Sequence, residues 1–126
     1  MTRRAVSSDQ APAALGPYSQ AIVAGGFVFC SGSAGIDPAT GVAVEGIEAQ
    51  TEQALRNVET LLQETGLSLG DVASCLIHLS DLSLFPRYNA VWERVFASEP
   101  RPVRTTVGAQ LLNEMLIEVT AIARRS

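Results

Sequence analysis

The stretch RPVRTTVGAQLLNEMLIEV, residues 101–119, reads mostly as two strands, yet it carries Arg104 at the head of the first and Glu118 inside the second. A strand made largely of Val, Leu and Ile has no structural need for either charge. Burying an arginine without a partner is costly, so a strand arginine is paired, exposed or waiting for an anion. Its planar fork matches a carboxylate through two parallel hydrogen bonds. A glutamate beside a reacting carbon can hold a water and move its proton. A strand-end ion pair or a solvated edge charge would account for the same two residues without any chemistry, and residue type alone leaves these alternatives open.

The common catalytic sets are absent: there is no GxSxG, no HExxH and no glycine-rich phosphate loop. His78 is the sole histidine and sits among Leu76, Ile77 and Leu79. It reads as a structural histidine with its hydrogen bonds satisfied. Cys30 and Cys75 fall in expected strands, with neither CxxC nor metal-ligand spacing. They read as buried thiols of a reducing compartment. One histidine and two scattered cysteines do not make a zinc site, so neither metal nor cofactor is expected.

The elements that must position Arg104 and Glu118 follow from periodicity. Residues 1–14 read as an arm. Strands are expected at 18–24 and 27–32, joined at Gly25-Gly26, whose positive φ suits a two-residue hairpin. A loop punctuated by Asp37-Pro38 and Gly41 follows, with a short strand expected at 42–44. Over 47–65, Ile47, Thr51, Ala54, Leu55, Val58, Leu61 and Leu62 recur at helical spacing, and Gly66 closes the helix. The near-continuous apolar run 71–80 predicts an interior strand. A second helix is expected from Ser83, as N-cap, with Pro86 in its first turn and Phe85, Val91, Trp92, Val95 and Phe96 on its apolar side. SEPRP breaks it, and strands follow at 103–111 and 115–124. Hairpin, helix, strand, helix, strand, strand is an α+β order with two helices on one face of a single sheet, in one domain spanning 1–126. The last two strands are apolar on both faces, which favours partner subunits as the cover for the sheet's other face.

The 126 residues need no disulfide or metal to fold. Net charge is −4, all nine basic residues are arginines, and no basic run is interleaved with aromatics. The backbone-phosphate attraction that dominates nucleic-acid affinity has little to work with. MTRRAVSSDQ lacks the apolar core of a signal peptide, and no apolar run is long enough to span a membrane. A cytoplasmic protein is expected, with neither nucleic acid nor membrane as partner.

Taken together, these segments resemble the RidA family, also called YjgF/YER057c/UK114, the reactive-intermediate deaminases. APAALGPYSQAI matches the family's N-terminal segment, FVFCSG its first inner strand, and QTEQALRNVETLL its first helix. HLSDLSLFPRYNAVWERVF matches the turn and second helix, and PVRTTV and IEVTAIA its last two strands. The resemblance runs from Ala11 to Ala123. It implies a chorismate-mutase-like fold and a homotrimer with a central barrel and ligand clefts between subunits. It also implies hydrolysis of enamine and imine intermediates, of the 2-aminoacrylate/2-iminopropionate type, to 2-keto acids and ammonia.

By that resemblance Arg104 clamps the substrate carboxylate and Glu118 holds the attacking water. Tyr18 lines the cleft with its hydroxyl near the reacting nitrogen, Ser31 and Gly32 add polar and backbone contacts, and Asn89 stands at the rim. Thr106 assists through its backbone N–H, so its hydroxyl is expected to be dispensable. There are three departures: Ser33 stands where the family commonly has Gln, Leu112 where a Pro is usual, and Thr106 where many members have Cys, so no role can rest on a thiol there. The Ser33 and Leu112 departures leave room for a pathway-specific substrate such as 2-aminomuconate. Ribonuclease or translation-inhibitor activity, also attributed to the family, is disfavoured by the acidic charge, and retention of both Arg104 and Glu118 disfavours a non-catalytic ligand-binding trimer. In a simple tight hairpin Arg104 would lie about 18–20 Å from Glu118. Either the two strands are not neighbours, or a site using both residues draws on two chains.

Overall fold

The computed structural model describes residues 2–125. In chain order they form β1 (Arg4–Val6), β2 (Ala21–Ala24), β3 (Phe27–Cys30), β4 (Ser33–Ala34), β5 (Ile36–Asp37), β6 (Val42–Ala43), α1 (Ile47–Gln63), β7 (Val72–Leu79), α2 (Phe85–Val95), β8 (Val103–Gly108) and β9 (Ile117–Arg124). Short 3-10 turns lie at Leu69–Asp71, Leu82–Leu84 and Leu112–Glu114. The main sheet runs β1-β2-β3-β9-β7-β8, with β4 also on β9, while β5 and β6 form a separate two-stranded ribbon.

The helical spacing that predicts α1 also buries it. Ala54, Leu55, Val58 and Leu62 share one core with Tyr88 and Trp92 of α2 and with Val28, Ile77, Val119 and Ala121 of the sheet. Both helices thus pack on one face, and each fully buried aliphatic side chain contributes about 1.5–3 kcal/mol relative to exposure. Gly66, at φ 79°, ends α1 as expected, and Leu67 N–H reaches back to Leu62 C=O at 3.0 Å. Gly25 and Gly26, at φ 59° and 83°, turn the β2–β3 hairpin.

Two local expectations change. The expected arm contains β1, whose Arg4 pairs with Val23 on the sheet edge; three residues are too few to show a strand period. Ser83 does not cap the second helix. Asp81 accepts the Ser83 N–H at 2.8 Å, starting a 3-10 turn, because a carboxylate reaches the amide two residues on. The helix begins at Phe85, with Pro86 in its first turn.

The placement of the last two strands, which the sequence left open, decides where the charges stand. β8 and β9 are not sheet neighbours, for β7 lies between them, parallel to β8 and antiparallel to β9. The α2 crossover carries the chain from β7 to a parallel partner, as parallel pairing requires. β9 then returns into the gap between β7 and β3.

Candidate active site in two halves

Arg104 pairs with Cys75 on one side of β7, and Glu118 pairs with His78 on the other. Paired residues share a face, and an odd number of steps along a strand reverses it. Cys75 lies in the helix-covered core. Arg104 therefore points toward the helices and Glu118 toward the open face. Strand rise and spacing put their Cα atoms about 14 Å apart.

Helix α2 builds the arginine half. The Arg104 guanidinium carbon lies 5.5 Å from the Phe85 ring centroid, 5.1 Å from Tyr88 and 5.2 Å from Trp92. Each ring attracts the cation, by about 0.5–2 kcal/mol depending on exposure. Arg104 Nη1 donates to Asn89 Oδ1 at 2.9 Å. Among the described residues no acidic side chain forms an ion pair with Arg104. Arg104, Asn89 and Trp92 line a surface hollow together with Arg101 and Pro102. Thr106 sits two positions along β8 on the same face, and its hydroxyl is not idle: Oγ1 bonds Tyr88 Oη at 2.6 Å. Tyr88, fully buried, is the residue the sequence reading of α2 missed. It lies three residues from Phe85 and Val91 and four from Trp92, on the same helical face as the expected apolar positions, and that spacing of an aromatic one turn before Trp92 was the signal for it.

The glutamate half rests on a bulge. Phe29 pairs with Ile122, but Ser33 pairs with Val119. Four steps on one strand thus answer three on the other, and the extra residue lifts the Ser31-Gly32 segment off β9. Gly32 comes so close to Glu118 that a Cβ there would stand 1.8 Å from Oε1. The carboxylate enters a cavity of about 150 Å3 lined by Tyr18, Ser31, Gly32 and Ser33, with Leu61, Leu112 and Met115 among its apolar walls. The Tyr18 hydroxyl accepts Leu15 N–H at 3.0 Å. Ser31 Oγ donates to Ser19 C=O at 2.6 Å. Asn113 and Glu114, at φ 53° and 56°, place two consecutive non-glycine residues in left-handed backbone beside this cavity.

Two buried amides of α1 hold this half in place, and neither figured among the expected site residues. Asn57 Nδ2 donates to the carbonyls of Ala34 and Ile36 at 3.0 and 2.9 Å. Gln50 bridges Val44 C=O and Leu116 N–H at 3.0 and 2.9 Å. Gly35 is required beside it, since a Cβ would come within 2.5 Å of Gln50 Cα.

The structure thus brings Tyr18, Ser31, Gly32 and Glu118 together, and Arg104, Asn89 and Thr106 together, but not the two sets in one chain. His78 departs from its expected satisfied state: its Nδ1 is buried and finds no hydrogen-bond partner among the described residues. Its strand neighbours on the helix-covered face are apolar, and on the open face it stands opposite Glu118. Cys30 and Cys75 are free and buried. Among the described residues no cluster of His, Cys, Asp or Glu is arranged to hold a metal, and no helix is long and apolar enough to cross a membrane.

Comparison with known proteins gives these halves a context. The family model described as Endoribonuclease L-PSP matches residues 8–125. A RutC family protein of Pyrococcus abyssi is 40% identical over 125 residues, covering 98% of each chain. The 2-iminobutanoate/2-iminopropanoate deaminase of Salmonella typhimurium is 36% identical over 125 residues, covering 97% of this chain and 98% of that one. The crystal structure of E. coli TdcF with bound serine superimposes with a TM-score of 0.92 at 32% identity, covering 98% and 99% of the two chains. By sequence over nearly its whole length and by fold, the chain belongs to the Endoribonuclease L-PSP family, the RidA or YjgF/YER057c/UK114 family of its sequence motifs.

Proposed function

We propose that the protein hydrolyses small carboxylate-bearing enamines and imines, of the 2-aminoacrylate/2-iminopropionate type, to 2-keto acids and ammonia. The observation that carries this reading is the pair of unmatched groups. A caged, oriented guanidinium has no acidic partner among the described residues, and a carboxylate stands in the wall of a largely apolar cavity. The deaminase named in Salmonella and the serine bound to TdcF support the same substrate class.

Each half alone is incomplete, so the site forms between subunits of a homotrimer, with Arg104 from one protomer and Glu118 and Tyr18 from its neighbour. The open sheet face supports that assembly: the apolar side chains of Phe29, Leu76, Val103 and Val107 are exposed there, and a partner subunit would cover them.

In this site Arg104 takes the substrate carboxylate through two N–H donors while Asn89 fixes its remaining fork. The imine carbon is already electrophilic, so catalysis needs orientation, a water and charge stabilisation. Glu118 accepts a proton from the water as its oxygen bonds to the imine carbon. Proton transfer to nitrogen and collapse of the tetrahedral intermediate then expel ammonia and leave the 2-keto acid. Tyr18, with its hydroxyl already accepting one N–H, presents its own O–H to the leaving nitrogen. Ser31 and Gly32 set the cavity floor. The cavity's size and apolar walls favour short, uncharged side chains on the substrate.

The test generates imines in situ from a panel of amino acids with an amino-acid oxidase and follows 2-keto acid release. Acceleration for small apolar members is expected. A folded protein that accelerates none of them overturns the reading.

A further inference from the structure

A buried phenol and a strand hydroxyl meet behind Arg104. Tyr88 is 0% exposed, and its oxygen lies 2.6 Å from Thr106 Oγ1. Its ring lies 5.1 Å from the Arg104 guanidinium carbon. The ring also packs edge-on against Phe85 at 5.4 Å and Trp92 at 5.9 Å, which makes it the middle member of the cage. A phenylalanine would supply the same packing. A buried phenol needs a hydrogen-bond partner, and here the partner comes from the strand that carries Arg104. Burial pushes the phenol above its ordinary range, so it stays neutral at neutral pH. The contact ties α2 to β8 two positions from Arg104.

Two parallel N–H···O bonds to a carboxylate demand a guanidinium plane set in advance. Asn89 Oδ1 fixes one nitrogen, which leaves rotation about that contact free, and a ring face removes it. We infer that Tyr88 is a positioning residue of the carboxylate clamp: its hydroxyl, latched to Thr106, fixes the ring on which Arg104 lies and so sets the plane in which Arg104 receives a 2-imino or 2-oxo carboxylate. The inference rests on the clamp role proposed for Arg104.

Tyr88→Phe keeps the ring and removes one oxygen, and Thr106→Val keeps the branched shape and removes the hydroxyl. An interaction held equally before and during reaction changes KM alone, so each variant raises KM for the imine, and Kd for pyruvate by calorimetry, about five- to tenfold with kcat within about twofold. Both groups act through one contact, so the double variant is no worse than the weaker single one. The Arg104 Nε–Hε resonance gives a readout apart from turnover: its heteronuclear NOE falls in both single variants. Unchanged KM, Kd and NOE in the singles would reduce the pair to packing, and a loss confined to kcat would place the hydroxyls in the chemistry; either overturns the inference. A wild-type protein that neither turns over imines nor binds pyruvate overturns the deaminase reading instead. The NOE then tests the latch alone, and an unchanged value overturns it.

Discussion

Arg104 and Glu118 are held by opposite strategies. Arg104 is gripped by side chains: three aromatic rings and one amide, all from α2. Glu118 is shaped by backbone: a bulge, a glycine with no room for a Cβ, and loops pinned by Asn57 and Gln50. A grip made of side chains is sensitive to ring identity and tolerates small backbone shifts. A backbone cradle is indifferent to most neighbouring side chains but fails on any atom added inside it. The two groups also face opposite sides of one sheet, so neither half can correct the other within a chain.

The largest effect is expected at the side-chain grip. Arg104→Ala should lower imine hydrolysis by about a hundredfold or more, since a charged contact in a desolvated site is worth several kcal/mol. Arg104→Lys should recover little, because a point charge does not reproduce the fork. Steady-state kinetics checks both, and full activity in the lysine variant would reduce the cage to a simple positive charge.

Whether the halves meet across subunits is open to a sharper test. Arg104→Ala and Glu118→Gln protomers, each inactive alone, are unfolded together and reassembled in equal amounts. If each site takes one residue from each neighbour of a cyclic trimer, about a quarter of the sites regain both native groups. Recovery near that fraction supports the shared site, and no recovery in a mixed trimer breaks it.

The cradle should respond to a single methyl group. The Cβ of Gly32→Ala would stand 1.8 Å from Glu118 Oε1, so the carboxylate must swing away while the backbone stays. The expected result is a loss of about ten- to hundredfold in kcat, in line with displacing a general base, with the melting temperature little changed. Retained activity would show that Glu118 works from another rotamer.

These two strategies also explain what was legible in the sequence. The side-chain half was nearly all visible: Arg104, Asn89 and Phe85 are motif residues, and α2 follows from its period. Tyr88 escaped because a polar aromatic between expected apolar positions looks like a surface residue until a partner hydroxyl is known. The backbone half was visible only in part. Gly32 and Glu118 stood out, but the bulge is a register shift between β3 and β4, which depends on pairing across the sheet. Asn57 and Gln50 look like solvent-facing helix residues because their acceptors belong to distant loops. The separation of β8 from β9 is likewise set by the α2 crossover, which no local pattern in residues 101–119 records.

The smallest effect is expected at the thiols, and it distinguishes this site from one built on sulfur. Cys75 pairs directly with Arg104, so a thiolate there would sit beside the clamp. Burial opposes it: the Cys75 thiol is pushed up to about 12 and the Cys30 thiol to about 11, each chiefly by desolvation. With Cys30 5% and Cys75 3% exposed, both remain protonated and shielded at pH 8, and only the thiolate reacts with alkylating agents. Iodoacetamide at pH 8 should therefore leave activity unchanged and the native protein unlabelled by mass spectrometry, while the denatured chain takes up label at both cysteines. The folded thiols have raised values, so the fold contributes protection throughout the neutral range and loses it only as pH climbs toward 11. Rapid inactivation at pH 8 with stoichiometric label on Cys75 would mean that the core beneath Arg104 opens to solvent, and the rigid cage described for it would not stand.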